Sequence, residues 1–583
     1  MKNETFSPQQ ALILRLVVGL GFGLILGFLY HQLRPLPDHE GPLWMRLLAP
    51  ALTLGAFVIW ANAAAVRRVS LAAWSLIALG LIAFIAWNSL VHGVHQNYSP
   101  LFFNLAFLIY PFLFIASELV SSGDQAGKPI APYSLYFDQA WKHGVQLALA
   151  VIFTAMFWGI LWLGAALLGF IGFDWFREMI ESEYFSWPAS GLAIAAAVHL
   201  GDVQTKLMHA FRSLVLGVLS WLLPVITLIG IIFAVSLCFS GLQPLWSTKA
   251  ATASLLAACV ALVLLVNAAY QQGDEERPVH VVLKWSTRLA CALLLAFSLL
   301  AAYSLYLRIH QYGLTPERVL AAVGVFVAVL FGLGYAYAAV LPRGRWMAGI
   351  ETINVTLAFV KVLVFLAVLT PVADPLRLSA ESQASRLESG TVASNRFDWR
   401  VLRYETGAYG RTTLARLAKS GKTDTIRAKA KDALAWKDED RWDHDPEPPA
   451  PKKPVAARIR MVQEGAVLPP SFLAQAYPSN GLYPDCLDQG ESCDGLLLDM
   501  NDDGKPELLL LDGHRLVMIY ESDGAWTVGN GFSEYLDKQE AEAFKAGKVT
   551  ARAAVWKDLD IDGSVRSLNT SGPEVRRVIR KEP

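Results

Sequence analysis

The sequence predicts an all-α polytopic membrane bundle of about eleven transmembrane helices, with a soluble C-terminal tail that is helical at first and then small α+β. Two observations predict it. Of 583 residues, 54% are hydrophobic and only 17% charged, and the mean hydropathy is +0.38. The apolar residues are also unevenly placed. Runs of about 20, the length that spans a bilayer as a helix, crowd residues 1–373, whereas 374–583 have the make-up of a water-soluble chain. The formal net charge of zero gives no sign of a nucleic-acid partner.

Taken in order, spanning runs begin at Ala11, Leu47, Ser70, Leu101, Val145, Leu214, Ala251, Leu289, Val319 and Thr352. A weaker run, Phe185–Leu200, is rich in alanine and glycine and completes the count. The first run lacks a small-x-small cleavage site and reads as a retained helix, not a removed signal peptide. Its Gly19, Gly23 and Gly27 at four-residue steps make a surface that another backbone can approach closely. Pro111 and Pro224 fall inside spans, and Trp44, Trp87, Tyr98, Trp246, Trp285 and Tyr312 gather near span ends as interfacial anchors. Asp174–Trp187 mixes acids with aromatics and reads as an amphipathic surface helix. Thr315 and Pro316 read as the start of a helix.

Charge in the loops orients the bundle. With eleven alternating spans and a cytoplasmic N-terminus, the basic residues at 2, 67, 68, 128, 142, 206, 212, 277, 284, 288, 343 and 345 fall on the cytoplasmic side. The opposite loops hold only Arg34, Arg46, Arg177, Lys249, Arg308 and Arg318, so the positive-inside rule is obeyed. An odd number of spans places the tail outside the cytoplasm.

The tail divides into a helical periplasmic segment (374–443), a proline-rich linker (444–457) and a small α+β periplasmic domain (458–583) with an antiparallel sheet and a short helix at Lys538–Lys548. Cys486 and Cys493 lie close together there and can pair in an oxidising compartment.

Two constellations can carry chemistry. Lys361 sits near the middle of the last span, Ile350–Asp374, and shares a helix face with Glu351, Asn354 and the small Ala358. A lysine at that depth can contact an anionic solute or take part in proton transfer, with Asn354 beside it, or can lock the bundle through a buried pair with Glu118 or Asp202. In the tail, Asp499, Asn501, Asp503, Lys505 and Glu507 occupy positions 1, 3, 5, 7 and 9 of a loop with Gly504 at 6, an order of oxygen ligands that suits calcium. Position 12 is Leu510, so the loop is not an EF-hand, and an acidic hairpin without metal fits equally. Asp558–Gly563 begins a second such loop, which Arg566 can neutralise. Walker A, Rossmann, G-x-S-x-G, H-E-x-x-H and CxxC motifs are absent, which argues against a single-chain ATP-driven pump.

The succession of spans, the GLTPER loop at Gly313–Arg318 and the segment DPLRLSAESQASRLESG after the last span resemble the bacterial integral membrane proteins of domain of unknown function 4153 (DUF4153). The resemblance covers roughly residues 10–440 and implies a multi-pass protein of the bacterial inner membrane; it carries no assigned activity, cofactor or catalytic residue. Three functions follow as expectations: transport of a small anionic or zwitterionic solute, an envelope sensor or scaffold whose periplasmic domain binds a protein partner with calcium, or an enzyme at the outer interface using Glu178, Glu181, Glu183 or His310.

Overall fold

The computed structural model describes residues 5–34, 41–93, 100–242, 250–273, 279–340, 346–347, 349–436, 455–463, 465–475, 477, 483–488, 492–522, 524–551, 559–561 and 564–566. Most of the proline-rich linker and most of the second acidic loop (Asp558, Asp562 and Gly563) lie outside them. The chain forms two compact units, Met1–Arg441 and Trp442–Pro583.

In the first unit, helices run Pro8–Leu33 (α1), Leu43–Asn62 (α2), Arg68–His92 (α3), Pro100–Ala126 (α4), Tyr133–Gly169 (α5), Trp175–Glu181 (α6) and Glu183–Val203 (α7). They continue as Thr205–Ser240 (α8), Ala251–Tyr270 (α9), Val281–Tyr312 (α10), Pro316–Val340 (α11) and Gly349–Val368 (α12). Each apolar run named from the sequence lies in a long helix. Among the described residues nine helices are long and apolar enough to cross a membrane, so the expected count of about eleven is larger than this test supports. The two long helices outside that set are α4 and α7. The acid and aromatic segment is not one surface helix: it divides between the short α6 and the first turn of α7. α5, at 37 residues, rises about 55 Å and so exceeds the roughly 30 Å hydrocarbon core.

The glycine stripe of α1 finds its partner in α7. A Cβ at Gly19 would sit 2.5 Å from the Gly191 carbonyl oxygen, one at Gly23 2.6 Å from Pro188 Cα, and one at Gly27 2.6 Å from the Glu183 carbonyl oxygen. No side chain fits, so the backbones touch. The main apolar core joins α8 to α12 around Leu262, Leu294, Phe297, Phe331 and Tyr335. A second joins α2, α3 and α4 around Val58, Trp74, Ile82 and Phe112.

Three further helices, Pro375–Glu388 (α13), Gly407–Ser420 (α14) and Asp424–Ala435 (α15), follow the last span, with a π-helical turn at Val401–Glu405. They bury Ala380, Leu387, Leu402, Leu414 and Ile426 in a common core. The sequence sets 374–443 apart, but these helices belong to the same compact unit as the bundle. Polar contacts fasten them. Gln383 Nε2 donates to the carbonyls of Tyr312 (3.1 Å) and Leu314 (2.8 Å), and Arg386 to those of His310 (3.0 Å) and Gln311 (2.7 Å). The loop before α11 and the segment after the last span, which together carry the family resemblance, therefore meet. At α13, buried Asp374 caps the helix by accepting from Leu376 N (2.9 Å) and also accepts from Asn88 Nδ2 of α3 (3.4 Å).

The second unit is a five-stranded sheet in the order β1-β2-β3-β4-β5: Ile459–Met461, Cys493–Leu498, Glu507–Asp512, Arg515–Ser522 and Ala525–Tyr535. β1, which strand patterning missed, pairs parallel with β2; the other neighbours are antiparallel, as expected. Successive residues of a strand point to opposite faces. Leu508 and Leu510 accordingly face a core with Phe472, Val517, Ile519 and Trp526, while Leu509 and Leu511 pack with Ala541 and Phe544 of the helix Lys538–Lys545. Burial on both faces is why β3 reads as an unbroken leucine run.

Candidate functional site

α12 carries the expected face, and the structure separates its members. Glu351 accepts from Tyr270 Oη at 2.8 Å. Asn354 belongs to a closed ring of three hydrogen bonds: Tyr335 Oη donates to Asn354 Oδ1 (2.6 Å), Asn354 Nδ2 to Asn267 Oδ1 (2.6 Å), and Asn267 Nδ2 to Tyr335 Oη (2.7 Å). Tyr133 of α5 touches the ring from outside, 3.5 Å from both asparagines. The ring ties α9, α11 and α12 together, and Tyr335 is fully buried. Every strong donor in it is spent on protein, which makes Asn354 a tie between helices in this state.

Lys361 lies seven residues further, about 10 Å along the helix. It is half-buried, and its Nζ sits 5.3 Å from the centroid of the Phe331 ring. Phe331 in turn meets Tyr335, one turn on, edge to face at 5.5 Å. Among the described residues Lys361 makes no ion pair or hydrogen bond.

The acids expected as partners for Lys361 are engaged elsewhere. Glu118 Oε1 of α4 lies 2.5 Å from His143 Nδ1 of α5, both buried. Asp202, at the end of α7, takes Arg15 Nη2 at 2.5 Å on one oxygen and Lys142 Nζ at 2.7 Å on the other. Arg15 is fully buried, and its Nε donates to the Trp60 carbonyl at 2.9 Å. Arg212 of α8 reaches Asp138 at 2.5 Å. Asp138, Lys142 and His143 lie in the first three turns of α5, which thereby ties to α8 and α7 through ion pairs and to α4 through the hydrogen bond between His143 and Glu118. The apolar run that marks this span in the sequence begins only at Val145, after all three, and Lys142 counts there as a cytoplasmic loop residue. The observed helix begins at Tyr133, directly after Pro132, twelve residues before the apolar run.

In the second unit the acidic loop joins β2 to β3. Asp499 accepts from Asn501 N (3.3 Å) and Gly504 N (2.9 Å), Asn501 Oδ1 from Asp503 N (3.1 Å), and Asp503 Oδ1 from Lys505 N (2.7 Å). Glu507, 6% exposed, accepts from Met500 N at 2.7 Å. Asp502 and Gly504 take φ of +58° and +81°, the left-handed backbone that Asx turns and glycine accommodate. The loop therefore closes on its own amides. Among the described residues no three His, Cys, Asp or Glu side chains gather as a metal cluster. Cys486 and Cys493 are disulfide-bonded, with Cα atoms 5.8 Å apart.

Nine helices long and apolar enough to cross a membrane, counted among the described residues, and a separate sheet unit define the class: a multi-pass helical membrane protein with a C-terminal α+β unit. No family model matches the chain, no curated protein matches it, and no solved structure matches it.

Proposed function

We propose that the chain is a DUF4153-like protein of the bacterial inner membrane that crosses the bilayer eleven times, N-terminus in the cytoplasm and C-terminal unit in the periplasm, and that it carries a small anionic or zwitterionic solute past Lys361. One observation supports the site. Arg15, Lys142, His143 and Arg212 each have an acidic partner, and Lys361 has none among the described residues. A lysine at the centre of a span costs about 2.5–3.5 kcal/mol or more. A cation–π contact returns up to about 2 kcal/mol. An anionic group on the solute makes up the shortfall, and the aromatic step from Phe331 to Tyr335 lies alongside it. The test is Lys361→Met, with Lys361→Arg as the charge-keeping control, scored for complementation of a deletion strain and for abundance in the membrane. The expected result is lost complementation at normal abundance for Met and retained complementation for Arg. Full complementation by Lys361→Met defeats the reading.

A second reading, a periplasmic sensor or scaffold, rests on the loop. Asp499, Asn501 and Asp503 stand in calcium-loop order, with the Lys505 carbonyl and Glu507 completing an oxygen set. The disulfide beside β2 is compatible with an oxidising compartment.

A further inference from the structure

A cleft of about 690 Å3 opens between α3, α4 and α12, and Lys361 is not among the residues that line it. One end is polar. Arg67 places its guanidinium on Asp124, 2.9 Å from Nε and 2.7 Å from Nη2, and Ser70 Oγ donates to the same oxygen at 2.5 Å, so Asp124 largely neutralises that arginine. Lys128 lines the same end. Its backbone is fixed: α4 stops through Gly127, at φ +62°, and Lys128 N closes the turn on the Gly123 carbonyl at 3.1 Å. Its ammonium is exposed and, among the described residues, has no ion pair or hydrogen bond. The remaining wall is apolar: Ala73, Trp74, Ile77, Leu119 and Phe359. Ile77 is 56% exposed and the neighbouring Leu76 71%, on a helix of spanning length and composition, so the cleft faces the side on which acyl chains lie.

We infer that this cleft binds one anionic phospholipid, with its phosphate against Lys128 and an acyl chain along Ile77, Leu119 and Phe359. The net charge of the polar end is positive because Arg67 and Asp124 cancel and Lys128 remains. A bare phosphate ion would meet that charge and leave the apolar wall unused; a zwitterionic lipid would bring its own cation to the lysine. An anionic phospholipid matches both parts. The position suits the energetics as well, since a basic residue at a bilayer surface attracts anionic lipid without the cost of entering the hydrocarbon.

Full-length protein in dodecyl maltoside, given equal mole fractions of phosphatidylglycerol and phosphatidylcholine with the same acyl chains, provides the test by native mass spectrometry. The phosphatidylglycerol adduct should exceed the phosphatidylcholine adduct about fivefold, the selectivity that one basic residue near an anionic headgroup supplies. Lys128→Ala, which removes an exposed charge, and Ala73→Phe, which fills the cleft from an exposed position, should each bring the ratio to about one. Lys206→Ala, an exposed lysine on α8, should leave it unchanged. Equal retention of the two lipids by the wild type overturns the proposal. So does a preference that survives both cleft variants, one that Lys206→Ala also removes, or one that millimolar inorganic phosphate abolishes.

Discussion

The acids of the β2–β3 loop and the acids buried among the helices of the first unit find their partners over very different stretches of sequence. In the C-terminal unit, Asp499, Asp503 and Glu507 take N–H groups from within seven residues of themselves, so the β2–β3 connection is built from one short stretch of sequence. In the membrane unit, Asp202 pairs with Arg15 across 187 residues, and Asp374 accepts from Asn88 across 286. The difference follows from the solvent. A loop in water can use backbone amides that nothing else needs, whereas a membrane helix has already spent its amides on itself and must find partners on other helices.

The largest test of this contrast is Asp202→Ala. It strips Arg15 and Lys142 of their shared carboxylate, and Arg15 is fully buried. Removing one side of a buried pair costs about 3–5 kcal/mol, so the variant should lose most of its yield in the membrane or melt far lower in detergent. A wild-type melting temperature would show that the long-range pair contributes little. Asp499→Ala comes next. Loss of two amide hydrogen bonds to a carboxylate should cost about 1.5–3 kcal/mol, felt by the C-terminal unit alone and read by limited proteolysis. Calcium should slow that proteolysis in the wild type and leave the variant unaffected; indifference of the wild type would remove the metal and keep the hairpin.

The smallest effect concerns Asp374. Burial holds its carboxyl above the ordinary carboxylate range, against the opposing hydrogen bonds from Leu376 and Asn88. An acid whose value is raised on folding penalises the fold when ionised, so this group's contribution to stability improves as pH falls through the raised value and levels off below the unfolded value, about 4. Asp374→Asn keeps an N-cap acceptor and removes the titration, so the two proteins should differ by no more than about 1 kcal/mol at pH 7. On acidification the wild type should gain relative to the variant; a relative loss would mean that the hydrogen bonds outweigh burial.

The same contrast decides what could be read in advance. Apolar runs, the hairpin around Gly504, the short helix expected at Lys538–Lys548 and observed at Lys538–Lys545, and the pairing of Cys486 with Cys493 rest on residues near one another, and composition or spacing exposes them. Glu118 and Asp202 were recognisable as unusual acids, but their partners His143, Lys142 and Arg15 depend on which helices are neighbours, which hydropathy does not encode. The Asn267–Tyr335–Asn354 ring was hidden for the same reason: each member alone looks like an ordinary polar residue in a span. The glycines of α1 announced a close approach without naming α7. β1 escaped because three residues, Ile459–Met461, are too few to show alternation.

The seam between α1 and α7 has a consequence for biogenesis. The ribosome makes α1 first, and the residues that complete it, Gly191 and Asp202, emerge some 170–190 positions later; at roughly 5–20 residues per second that is on the order of 10–40 s. Until then the α7 backbone that these glycines contact, and the Asp202 carboxylate that Arg15 binds in the fold, have not been made. The opening helix is therefore complete only once α7 has been made, because both its glycine seam and its buried arginine depend on that later helix.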